Sequence, residues 1–109
     1  MAVIQNLSMV RGDTFSFDVA LNDLDRESIF SIYFTAKKKA TDKIAVFQKS
    51  LDDGIALIEG TTYRVRVAPE DTKSLEAGKY AYDLQIGVSN DVYTLIMGTL
   101  QITQDVTTD

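Results

Sequence analysis

The stretch from Pro69 to Ile86, Pro-Glu-Asp-Thr-Lys-Ser-Leu-Glu-Ala-Gly-Lys-Tyr-Ala-Tyr-Asp-Leu-Gln-Ile, most constrains what this chain can fold into. Its first half carries the signals of a single helical turn. Pro69 suits the first helical position, where a missing N–H costs nothing. Glu70 and Asp71 then put negative charge at the positive end of the turn. Gly78 is placed to end it in the left-handed conformation. From Lys79 the period changes to two, so Tyr80, Tyr82, Leu84, Ile86 and Val88 face one way and Ala81, Asp83, Gln85 and Gly87 the other. A glycine two residues before a tyrosine that opens a strand matches the tyrosine corner of Greek-key sandwiches. There the phenol lies over the core and its hydroxyl bonds backbone upstream. Gly78 and Tyr80 are the expected corner.

Strand signals fill the rest of the chain. Val3 to Met9 reads as a short edge strand, and Arg11-Gly12-Asp13 as a turn. Thr14 to Leu21 places Phe15, Phe17, Val19 and Leu21 on one face. Asn22 to Ser28 is a polar, acidic loop. Ile29 to Lys37 is the next strand, with Phe30, Ile32, Phe34 and Ala36 facing in. A charged turn follows, and Ile44 to Leu51 returns. Asp53-Gly54 is a strong hairpin dipeptide, because both residues tolerate positive φ. Ile55 to Ile58 and Thr62 to Val67 are strands, the second setting Tyr63, Val65 and Val67 against Arg64 and Arg66. Beyond the corner, Ser89-Asn90-Asp91 is a turn, followed by strands at Val92 to Met97 and Leu100 to Val106. Turn signals every 8–12 residues or so with minimal helix are the pattern of a β-sandwich.

At 109 residues the chain is expected to form a single domain, residues 1–109, long enough for one core. It has no cysteine and no histidine, which removes thiol nucleophiles, zinc–thiolate sites and the commonest general base near neutral pH. A net charge of −5 disfavours nucleic acid and anionic membrane as partners. No apolar run approaches a membrane span. The first residues show no signal peptide, so the expected product is made in a cytoplasm and kept there until it is assembled.

Each chemical constellation has a simpler structural explanation. Arg11-Gly12-Asp13 spells an integrin-type tripeptide, yet a turn glycine already explains its centre. Asp23, Asp25 and Glu27 alternate in one loop, without the glycine and distal glutamate of a calcium loop. Lys37, Lys38, Lys39 and Lys43 suit protection of a sheet edge. Asp18 and Asp83 lie on polar strand faces, as do Arg64 and Arg66, so cross-strand ion pairs are simpler than a carboxylate pair for catalysis. The expectation is of no catalytic residue, cofactor or metal. Tyr33 and Tyr93 are expected at the surface as partner anchors. Val3 to Met9 carries no charge and Leu100 to Val106 only Asp105, so both terminal strands lack the usual blunting of edges. Val3, Gln5, Leu7, Leu100 and Ile102, with the two tyrosines, form the expected partner surface.

Several pieces recur in an order that points to a family. They are Arg11-Gly12-Asp13-Thr14-Phe15, Pro69-Glu70-Asp71-Thr72 with Leu75, and Gly78-Lys79-Tyr80-Ala81-Tyr82-Asp83-Leu84-Gln85. Thr94-Leu95, Gly98-Thr99-Leu100 and Asp105-Val106-Thr107 complete the set. Together they resemble a family of small phage and prophage proteins like the N-terminal domain of the siphophage baseplate upper protein. The segment from Asn22 to Gly60 matches that pattern poorly. The strand pattern predicts an all-β sandwich of about seven or eight strands with one short helical turn near 69–75, and the resemblance implies that it is immunoglobulin-like. The resemblance also implies a non-enzymatic virion component of a tail or baseplate, made in the bacterial host cytoplasm. Its partners would be other tail or baseplate proteins, or further copies of itself. The alternative expectation is a carbohydrate- or host-surface-binding module of the same fold, acting through Tyr33, Tyr93 and the Asn22–Ser28 loop.

Overall fold

Period-two alternation builds almost the whole molecule. A computed structural model describes residues 3–21 and 26–107. They form strands β1 (Val3–Ile4), β2 (Leu7–Val10), β3 (Phe15–Ala20), β4 (Ile29–Lys37), β5 (Phe47–Leu51), β6 (Gly54–Glu59), β7 (Thr62–Val67), β8 (Gly78–Val88) and β9 (Asp91–Thr103). A 3-10 turn covers Arg26–Ser28, and the single-turn helix α1 covers Pro69–Thr72.

The hydrogen-bonded path runs β1-β9-β8-β4-β5-β6-β7-β3, with β2 also on β9. It folds back between β5 and β6, giving one layer of β1/β2, β9, β8, β4 and β5 and a second of β6, β7 and β3. The inward rows of both layers share a core, where the Phe34 ring of β4 meets Phe17 of β3 edge-on at 5.4 Å and Tyr82 of β8 at 5.5 Å. Strands B-E-D facing G-F-C-C′ are the order of a variable-type immunoglobulin-like sandwich, and β3-β7-β6 facing β9-β8-β4-β5 reproduce it. The fold is all-β and immunoglobulin-like.

The corner is built as a hydrogen bond across one turn of chain. Tyr80 is buried and its hydroxyl donates to the Glu76 carbonyl at 2.7 Å. Asp71 caps α1 by accepting from the Ala68 N–H at 2.7 Å. Gly78 does not end the helix, which stops at Thr72; it opens β8 opposite Ile102, with φ +149°.

Five other expectations change. Val92–Met97 and Leu100–Val106 are one strand, β9, which ends at Thr103. Gly98 lies in its middle because the Gln5 carbonyl approaches so closely that a Cβ would strike it. The N-terminal strand breaks into β1 and β2 at that same contact, so the strands number nine among the described residues. Asp53-Gly54 makes no hairpin: β5 and β6 touch in parallel at Ser50↔Gly54 and Leu51↔Ile55, where the chain passes between layers. Here Asp52 takes φ +65°, and Gly54, at φ +98°, lets the Lys49 side chain pass beneath it. Phe30 faces out, 59% exposed, because a bulge between Ile29 and Ser31 gives β4 an extra residue and reverses its side. The returning strand starts at Phe47 instead of Ile44, which is exposed.

Tyr80→Phe should lower stability by roughly 1–3 kcal/mol, because it leaves a partly buried carbonyl without its donor. Tyr33→Phe, on an exposed position, should change it by a few tenths of a kcal/mol or so. Chemical denaturation of the two variants measures both, and equal losses would remove the corner bond as a stabilising feature.

Candidate partner-binding face

The outer face of the larger layer is where the strands place side chains that the core does not use. Cross-strand register assigns them. Tyr33, Gln85 and Thr94 share that face, as do Thr35, Asp83 and Met97, while Val92 lies opposite Gly87. The Phe30 ring covers Gly87, so that a Cβ there would meet its Cζ at 2.7 Å. Ile4 of β1 pairs with Met97 and adds to the same face. Ile4, Phe30, Tyr33, Val92 and Met97 are all exposed.

A groove of about 320 Å³ opens among these strands, lined by Thr35, Lys37, Asp83, Met97 and Thr99. Partial burial raises the pKa of Asp83 above its ordinary 3.8, and the positive charge of Lys37 opposes that rise. The groove therefore sets a partly buried carboxylate and an ammonium group in one lining.

The residues singled out from sequence are distributed differently from expectation. Val3 is exposed on β1, and Tyr33 is 40% exposed on the outer face. Leu7 is half-buried against the core. The Gln5 side chain is exposed, but its backbone is engaged: its N–H donates to the Met97 carbonyl at 2.9 Å and its carbonyl accepts from the Tyr82 hydroxyl. Burial pushes the pKa of that phenol up from 10.0. Leu100 and Ile102 are fully buried and cannot belong to a partner surface. The reason is topological, since β9 lies between β8 and the pair β1/β2 and is not an edge. Tyr93 is 48% exposed but pairs with Ile86, on the core side of the sheet. Tyr33 and Tyr93 thus lie on opposite faces of one layer and form no common stacking platform. Asp23 and Asp25 lie outside the described residues, as does most of the Asn22–Ser28 loop.

The Arg11-Gly12-Asp13 turn is a clamp. The Arg11 guanidinium donates to Asp105 at 2.9 Å and to the Leu75 carbonyl at 3.2 Å, and the Gly12 N–H donates to the buried Thr72 hydroxyl oxygen at 2.8 Å. Asp18 and Arg64 pair across β3 and β7 at 2.8 and 3.2 Å, and the hydrogen bond from Arg64 lowers the Asp18 pKa. Asp18 is on the outer face of the smaller layer and Asp83 on that of the larger, so a sandwich thickness separates the two carboxylates. Among the lysines, Lys38 reaches Glu76 at 3.5 Å and lies 5.9 Å over the Tyr80 ring, so it braces the corner. Sequence reasoning missed Lys49, which lies on the inner face opposite Phe34 and bonds Asp71 of α1 at 2.7 Å. The two side chains are only 12% and 17% exposed. An isolated lysine in an alternating strand gives no sign of this.

No protein-family model matches the sequence, and no curated protein matches it. Among solved structures, the chain is similar to the extracellular domain of the voltage-gated sodium channel beta4 subunit. The TM-score is 0.45 and the identity 10%, over 94% of this chain and 93% of that one. That domain is described as a parallel homodimer whose structures explain its role in cell–cell adhesion. The likeness extends no function to this chain.

The two carboxylates should respond to pH with opposite sign. Asp83→Asn should raise the melting temperature at neutral pH, because ionised Asp83 is penalised by burial in the folded state. That gain should vanish as pH falls through the raised folded pKa toward 3.8. Asp18→Asn should lower the melting temperature at neutral pH, and the deficit should close only as pH falls below 3.8. Thermal melts across a pH series read both curves.

Proposed function

We propose that this domain is a non-enzymatic assembly module of a phage tail or baseplate, holding other virion proteins through the outer face of its larger layer. The observation that carries this reading is the set of exposed apolar side chains gathered there: Ile4, Phe30, Tyr33, Val92 and Met97. Exposed apolar side chains set among polar ones on one sheet face suit a protein–protein contact. The terminal strands contribute through Ile4 and Met97, in place of Leu100 and Ile102. The ordered motif set of the phage family supports the virion setting. In the described structure the Arg11-Gly12, Thr72, Leu75, Tyr80 and Asp105 pieces form the clamp and the corner, which are devices of stability, while the pieces on β8 and β9 flank Val92 and Met97. Tails are built from repeated symmetric contacts, and such a domain is a natural unit for them.

The test is binding to purified tail and baseplate proteins encoded beside this one. Tyr33→Asp and Met97→Asp should each abolish a measurable complex while leaving the melting temperature within a few degrees of the parent. A protein that binds none of those components, or whose binding ignores both substitutions, is not an assembly module of this kind.

A further inference from the structure

The first strand of an immunoglobulin-like sandwich can pair with strand B, giving an A-B-E-D layer. Here β1 and β2 run instead along β9 in the other layer. The position beside β3, the B strand, is consequently empty among the described residues: β3 pairs with β7 and nothing else.

The alternation of an antiparallel ladder determines which groups that open edge offers. The Leu21 N–H donates to the Thr61 carbonyl at 2.9 Å, in register with the β3–β7 ladder. Hydrogen-bonded pairs recur every second residue, so Val19, Phe17 and Phe15 turn their backbone groups toward β7. Ser16, Asp18 and Ala20 turn theirs toward the empty side, and all three are exposed. The ladder is unbroken over six residues. The usual devices that discourage pairing at an edge are missing: β3 has no proline, lysine or bulge. Its one charge, Asp18, is held by Arg64 of β7. The competing edges are less suited. β1 and β2 are two and four residues long, and β5 crosses toward β6 at its end.

We propose that β3 is a self-pairing edge, at which a second copy adds its own β3 antiparallel to make a six-stranded sheet across a two-fold axis. A second copy fits this edge because the strand's own charge pattern allows a self-paired register without like charges opposed. Outward-directed backbone groups must meet outward-directed ones, so Ser16, Asp18 and Ala20 of one copy oppose residues drawn from Thr14, Ser16, Asp18 and Ala20 of the other. Centring the axis on Asp18 places two carboxylates opposite each other, which is unfavourable. Centring it on Phe17 places each Asp18 opposite a Ser16 and Phe15 opposite Val19, and it sets the two Phe17 rings side by side as a close, non-hydrogen-bonded pair. An axis on Val19 leaves much of the strand unpaired. The Phe17 register keeps the longest overlap without like charges opposed. Phe15, Phe17 and Val19, only half-buried in the single domain, gain cover in the pair. The contact is small beside a standard interface of about 20–30 residues a side, so the dimer is a weak one that gains strength in repeated arrays. It uses the edge of the smaller layer and is independent of the tail reading.

Sedimentation equilibrium of the whole chain up to millimolar concentration tests this, with hydrogen exchange on the same samples. The expected result is a monomer–dimer equilibrium in which the Ser16, Asp18 and Ala20 amides become protected as concentration rises. Ser16→Lys, facing Asp18 of the second copy twice per dimer, should tighten dissociation roughly fivefold, and Ser16→Asp should weaken it about as much. Ser16→Pro should abolish the dimer while sparing the β7 ladder, since its lost N–H points to the open side. Persistence of the monomer at every concentration overturns the proposal. So does a dimer that ignores the Ser16→Lys and Ser16→Asp exchange, or one that leaves those three amides unprotected. A dimer with this signature in a protein that binds no tail component would leave the pairing intact and refute only the assembly reading.

Discussion

The Thr72 hydroxyl and the Arg11 guanidinium hold one end of this sandwich together. Thr72 is fully buried at the end of α1 and accepts from the Gly12 N–H, while Arg11 reaches both Leu75 and Asp105. Three segments remote in sequence meet there: the β2–β3 turn, the α1–β8 connection and the chain after β9. Each brings polar groups that burial would otherwise leave without partners, a cost of about 1–3 kcal/mol per group. The corner at Tyr80 and the capping carboxylate of Asp71 belong to the same assembly. Asp71 extends it across the core, because Lys49 from the opposite layer ends on it. With one end fastened in this way, the sheets are free to differ in how their edges and faces are used.

The second constraint is the close approach of the N-terminal strands to β9. Gly98 leaves room for the Gln5 carbonyl, Tyr82 donates to that carbonyl from inside the core, and the Asn6 side chain accepts from the Thr99 N–H at 3.0 Å. These contacts bury β9 as an interior strand and put Leu100 and Ile102 into the core. They also commit the N-terminal strands to the larger layer. The exposed face near Met97 and the vacancy beside β3 are two consequences of that one commitment.

Much of the fold was legible in the sequence wherever period and position agreed. The alternation of Phe15, Phe17 and Val19, of Tyr63, Val65 and Val67, and of Tyr80 through Ile86 matches their burial, because those strands are regular and half-covered. Phe30 broke the pattern, since a bulge is invisible to a count of two. Asp53-Gly54 misled because glycine there serves the passage of Lys49 in place of a hairpin, and both demand the same backbone freedom. Gly98 suggested a break between two strands, when it is the point where another strand lies close. Less of the site was legible. Exposure of Tyr33 follows from parity, but that Tyr93 lies on the other face depends on the register of β8 with β9, in which Leu95 is an extra residue. Leu100 and Ile102 looked like edge residues only because the order of strands in space is absent from the order in sequence.

The parallel pairing of β2 with β9 also governs how the domain bears load. Leu7 to Val10 lie beside Leu100 to Thr103 and run in the same direction, so the chain enters at one end of this pair and leaves at the other. Tension between the two ends of the chain therefore acts along the strands. It must shear the whole row of hydrogen bonds at once, along with the Arg11–Asp105 bond just beyond it, instead of opening them one by one. A building block connected through its two ends would be mechanically stiff along that line and comparatively soft across it.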